Sequence, residues 1–148
     1  MLVDLNAPII PNGSFKWREF LYLPAWHAYA IPTEQEVKDA ITFFTQLEVV
    51  RRHWGAPITI ESGARPDKYN LYLRTLGYRT ATASMHRFYR AADLRPTTGK
   101  TKDLYELCRK VWKGRMEHWN ATKGGAGEYD GWVHLDNKTF GNLVIFTP

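Results

Sequence analysis

Cysteine is nearly absent: Cys108 is the one thiol in 148 residues, which excludes an internal disulfide and any metal site built from several thiolates. Apolar runs are short, and none approaches the roughly 18 to 20 residues that a membrane-spanning helix needs. Membrane insertion is therefore not expected. The opening Met1-Leu2-Val3-Asp4-Leu5-Asn6 has an early acid and no basic stretch, so it does not read as a signal peptide. Internal repeats and low-complexity segments are missing too. Two enzymatic signatures are incomplete. His118 adjoins Glu117, but no second His follows at H-E-x-x-H spacing, and Gly99-Lys100-Thr101 imitates the end of a phosphate loop whose first glycine is replaced by Leu94.

What remains is ordinary globular material, 44% hydrophobic and 24% charged, at the length of one domain. Twenty Lys and Arg against fifteen Asp and Glu give +5 and a pI near 9.4. That sign favours anionic partners: nucleic acid, a membrane surface or a bacterial wall. Residues 1–32, punctuated by Pro8, Pro11, Pro24 and Pro32, read as an N-terminal wrap with a short helix near Ser14 to Leu23. Residues 33–148 read as the functional domain. Thr33 and Glu36 form a capping box for a helix ending near Gly55, with Val37, Ala40, Ile41, Phe44, Leu47 and Val50 as its apolar stripe. Ile58 to Ser62, Arg90 to Leu94 and Trp132 to Asp136 read as strands. A helix or turn is expected around Asp67 to Leu76 and a second amphipathic helix from Thr101 to about Lys113, with a glycine loop at Gly124 to Gly127. Leu104, Leu107, Cys108 and Val111 have the spacing of a buried helix face, which makes Cys108 a packing residue. The fold class is α+β, a small antiparallel sheet backed by helices.

Most of the five histidines have plain explanations. His27 lies in an aromatic stretch, His53 in the last turn of a helix where positive charge suits the dipole, and His118 lacks a partner. His86 and His134 differ. The run Ser84-Met85-His86 continues to Asp93 behind two small alanines. Around His134, strand parity sends Asp130, Trp132, His134 and Asp136 one way, and Gly131, Val133 and Leu135 the other. The odd face is apolar and suits the core. The even face carries chemistry. Two imidazoles and one carboxylate, with a fourth position open to water, make a catalytic zinc set; hydrogen-bonded surface histidines are the alternative at this point.

The run from Ser84 through His86 to Asp93, followed downstream by Trp132-Val133-His134-Leu135-Asp136, resembles the zinc D-alanyl-D-alanine carboxypeptidase family. That family includes the phage L-alanyl-D-glutamate endopeptidases and shares its fold with the hedgehog signalling domain. Ile60-Glu61-Ser62-Gly63-Ala64-Arg65 and Gly124-Gly125-Ala126-Gly127-Glu128-Tyr129 match further stretches, and the similarity spans roughly Thr33 to Lys138. The resemblance implies His86, Asp93 and His134 as zinc ligands. It implies Arg65 as the arginine that orients substrate and supports the developing oxyanion, with Ser84 as a structural or substrate contact and Trp132 as a substrate contact.

Departures are also visible. Ala64 replaces an aromatic, Leu76-Gly77-Tyr78-Arg79-Thr80 replaces a glycine-rich approach to the first ligand, and Gly131 stands where many members carry a catalytic acid. For the base, Asp130 is taken first, since Gly127 and Gly131 permit a bulge that re-aims it. Asp136 is second; about 7 Å from His134 by strand rise, it can equally orient an imidazole. Glu128 is third.

The resulting expectation is a zinc peptidase, a D,D-carboxypeptidase or an endopeptidase, acting on peptidoglycan stem peptides or cross-links. Without a signal peptide it would be made in the cytoplasm and act on the bacterial wall after release, as a phage lysin, or within a virion alongside assembly partners. Two alternatives stand beside it. One is an inactive zinc-containing structural or wall-binding component on the same fold. The other is a nucleic-acid-binding module, drawn from Arg109, Lys110, Lys113 and Arg115 around Trp112 and from Arg87, Tyr89, Arg90 and Arg95; a solvated helix face explains the same residues without nucleic acid.

Overall fold

The computed structural model describes residues 3–78, 80, 84–124 and 130–148. Along the chain run α1 (Trp17–Leu21), β1 (Tyr22–Leu23), β2 (Ala28–Tyr29), α2 (Glu34–Trp54), β3 (Ile58–Ser62), α3 (Asp67–Thr75), β4 (Ala91–Pro96), α4 (Thr101–Val111), β5 (Arg115–Glu117), α5 (Trp119–Thr122), β6 (Val133–Asp136) and β7 (Val144–Phe146). Short 3-10 turns occupy Pro24–Trp26 and Met85–Phe88.

Helix α2 begins and ends where its sequence signals place it. Thr33 Oγ1 accepts the Glu36 N–H, the Glu36 carboxylate accepts the Thr33 N–H, and Gly55 closes the helix at φ 76°. Its buried stripe is wider than expected and rotated: Phe43 is 0% exposed, whereas Ile41 is 38% exposed. The cause is cover from two directions. Phe15 and Phe20 pack on Phe44, while Trp112, just beyond α4, packs on Phe43. Phe15, Trp17, Phe20 and Leu21 thus bring the N-terminal segment into the same core as α2.

The main sheet has the order β3-β4-β6-β5-β7. Its pairs are antiparallel except β5 with β7, which is parallel, so the sheet is mixed rather than wholly antiparallel. Ala92 faces Leu135 and Leu94 faces Val133 across β4 and β6, and with Met116 these residues are sealed into the core. Alternation sends Asp93, His134 and Asp136 to the other face. The β4–β6 pair is therefore an apolar layer on one side and a chemical one on the other. Cys108 is fully buried and burial pushes its thiol pKa up, which suits packing rather than reactivity. Among the described residues, no helix is long and apolar enough to cross a membrane.

Candidate metal centre

The site begins where β3 ends. Gly63 lies so close to α1 that a Cβ there would collide with the Phe20 carbonyl oxygen, and the next residue, Ala64, donates its N–H to that same oxygen. This approach requires glycine. The Gly63 carbonyl then accepts the His86 Nδ1–H at 2.7 Å, and the Arg65 N–H donates to the His86 carbonyl at 3.0 Å. Ser84 Oγ accepts the His86 N–H at 3.2 Å and caps the 3-10 turn that carries the ring. The Ser62-Gly63-Ala64-Arg65 stretch and the Ser84-x-His86 stretch are thus one structural unit.

On the sheet, Asp93 sits directly across from His134. His86, Asp93 and His134 each offer one ligand atom, and these atoms lie within 4.8 Å of one another. The hydrogen bonds suit a cation at their centre. A carbonyl only accepts, so His86 Nδ1 carries the proton and burial keeps the ring below its ordinary pKa. Its Nε2 lone pair is buried, has no hydrogen-bond donor among the described residues, and lies 3.3 Å from Asp93 Oδ1, itself only an acceptor. Two lone pairs facing each other in a buried place call for a positive ion. Burial would raise the Asp93 pKa, but the two imidazoles outweigh it and hold the carboxylate far below the usual range.

His134 occupies the other side of Asp93, with Nδ1 2.9 Å from Asp93 Oδ1 and Nε2 2.8 Å from Asp136 Oδ2. Burial opposes its charge, yet the hydrogen bonds to Asp136 and Asp93 raise its pKa to about 9. Asp136 is itself fully buried and accepts two parallel bonds from Arg115, both at 2.9 Å. Burial would raise its pKa, but His134 and Arg115 bring it to about 2. Asp136 is therefore the residue that orients His134, its two oxygens already engaged. Phe146 packs edge-on against the His134 ring, and Arg115 lies over Phe146.

Arg65 Nη2 approaches Asp93 Oδ2 at 3.8 Å, while its buried Nε has no hydrogen-bond partner among the described residues; burial lowers its pKa. Glu117, which the sequence does not single out, bears electrostatically on both Arg65 and His134. Burial holds its carboxyl above the ordinary range, with His134 and Arg65 pulling down and Asp93 and Asp136 pushing up.

The structure does not bring Asp130 to the cluster. Its carboxylate accepts the Thr101 N–H at 3.0 Å and hydroxyl at 2.9 Å, at the start of α4, and pairs with Arg95 at 3.1 Å. The parity count fails because β6 starts only at Val133 and Gly131 turns the chain at φ 82°. Trp132 also precedes the strand, its N–H donating to the Thr122 carbonyl. Glu128 and Gly127, like most of the glycine loop, lie outside the described residues. His27, His53 and His118 are exposed and apart from the cluster, His118 capping α5. Of the rings in the two basic stretches, Trp112 and Tyr89 are buried and Phe88, under the Arg87 guanidinium, is exposed, while Arg115 is tied to Asp136.

A family model described as Peptidase M15 matches residues 28–136. A comparison with curated proteins finds no match.

Proposed function

The chain belongs to the M15 peptidase family, and from that membership we propose that it is a zinc peptidase cleaving peptide bonds in peptidoglycan stem peptides or cross-links. The observation that carries the reading is the buried His86–Asp93–His134 set beside Arg65. Two imidazole nitrogens and one carboxylate oxygen suit zinc and leave a position open. Zinc held there supplies Lewis acidity toward the scissile carbonyl and makes water a better nucleophile at neutral pH. The chain's own residues do the rest. Gly63 fixes the His86 tautomer, Asp136 fixes the His134 ring, and the Arg65 fork offers donors to the carbonyl oxygen as it gains charge. A net charge of +5 favours residence near an anionic wall, which suits a phage lysin or a virion-borne wall enzyme.

A zinc-holding wall component without turnover is the second reading. Gly131 favours it: a Cβ there would collide with the Thr122 carbonyl oxygen, so the position bears no acid. Incubating the zinc-loaded chain with purified peptidoglycan and weighing the released fragments separates the two. Fragments from cut stem peptides or cross-links support the peptidase; intact peptidoglycan with zinc and protein bound supports the second reading.

Zinc uptake should release about one proton per ion at pH 7. The hydrogen bonds to Asp136 and Asp93 raise the His134 pKa to about 9, while burial lowers that of His86, so the proton that a metal displaces from the ligand set is the one on His134 Nδ1. Apparent affinity then falls as pH drops below about 9. Calorimetry in two buffers of different ionisation enthalpy measures the proton; a value near zero contradicts the assignment.

Asp136→Asn should lower zinc affinity roughly 10–100-fold, the usual effect of losing an outer partner, because a neutral amide serves both His134 and Arg115 less well. Competition against a chromogenic chelator measures it. An unchanged affinity removes Asp136 from its orienting role.

A further inference from the structure

Each acid already placed near the site is engaged elsewhere. Asp93 belongs to the ligand set, Asp136 is held by Arg115 and His134, and Asp130 caps α4. Among the described residues, Glu117 is the exception. Met116, its neighbour in β5, is sealed in the core, so alternation turns Arg115 and Glu117 to the chemical face. Arg115 proves the point by meeting Asp136 there. The antiparallel register pairs Arg115 with Asp136 and Met116 with Leu135. One step further along the same register sets Glu117 across from His134, at a Cα separation of about 4.5–5.5 Å. On its other side β5 pairs with β7, Glu117 opposite Phe146, so the strand is interior and its side-chain direction is fixed from both sides.

Among the described residues, the Glu117 carboxylate makes no hydrogen bond and no ion pair. It also does not join the set of atoms within 4.8 Å, which separates it from the ligands. A half-buried carboxylate beside a ligand, aimed at the chemical face and uncommitted, has the placement of a proton carrier.

We propose that Glu117 is the general base and acid of the hydrolysis, an assignment that rests on the zinc-peptidase reading. The water oxygen bonds to the scissile carbonyl carbon as one water proton moves to a Glu117 carboxylate oxygen. The C–N bond then breaks, and that proton passes to the leaving amine nitrogen. Glu117 ends as it began, and one water has been added across one peptide bond. Arg65 supports the carbonyl oxygen through the same sequence.

The test is Glu117→Gln in the full chain, which keeps shape and removes the proton acceptor. Zinc affinity, read by chelator competition, should stay within about threefold of the parent. On a peptidoglycan stem peptide, kcat should fall roughly 10²–10⁴-fold, the range for losing a general acid–base group, while KM changes little. Glu117→Ala should recover part of its turnover with added formate, which a merely structural role would not produce. Wild-type-like kcat in Glu117→Gln overturns the assignment and leaves the zinc-peptidase reading standing. Loss of zinc in that variant overturns it too, by making Glu117 part of the metal's hold. A parent chain that binds zinc and cleaves nothing overturns both.

Discussion

Zinc uptake and turnover should disappear together when His86, Asp93 or His134 is replaced by alanine. Each supplies one of the three ligand atoms that the described residues bring together, and His27, His53 and His118 stand apart from them. Losing a ligand should weaken affinity beyond the roughly 10–100-fold that accompanies loss of an outer partner. His27→Ala, His53→Ala and His118→Ala should keep both zinc and activity. Equilibrium dialysis with metal analysis reads the first property, fragment release from peptidoglycan the second, and circular dichroism establishes that each variant is folded. Full zinc occupancy in the His86→Ala, His134→Ala double variant would end the ligand assignment.

The second large effect belongs to Arg65. Arg65→Lys keeps a positive charge beside Asp93 but removes the planar fork, whose buried Nε is without a partner among the described residues. Turnover should fall at least tenfold, and Arg65→Ala should lose roughly 10²–10³ in kcat, as when a single oxyanion donor is removed. Zinc affinity should hold in the lysine variant, because the guanidinium touches Asp93 only at 3.8 Å. Steady-state kinetics alongside metal analysis distinguishes this from a general loss of structure. Unchanged kinetics in Arg65→Lys would show that Arg65 has no part in the reaction.

Local chemistry made much of this molecule legible in advance. Thr33, Glu36 and Gly55 mark the ends of α2 because caps are set by residues within a turn of each other. The face shared by His134 and Asp136 follows from the alternation of β6, and the resemblance joins Asp93 to His134, but their pairing is set by the register of β4 on β6, which alternation does not reveal. Strands β5 and β7, at three residues each, are too short to show a period. Glu117 was invisible for that reason: only the pairing of β5 with β6 brings it to the site. Asp130 departs from the face that parity gives it because the period does not extend past Gly131, where the backbone no longer alternates. The rotated stripe of α2 was hidden in a third way, since Phe43 is buried by Trp112, a residue remote in the chain.

The long gap between Asp93 and His134, 41 positions of chain, has a consequence for how the protein is made. His86 and Asp93 leave the ribosome well before the strand that completes their set, and at about 5–20 residues per second the wait is roughly 2–8 s. During that interval the nascent chain presents two donors instead of three, with the His134–Asp136–Arg115 brace unformed. The complete set of donors is thus a late product of biogenesis, and it does not exist until β6 has been inserted between β4 and β5.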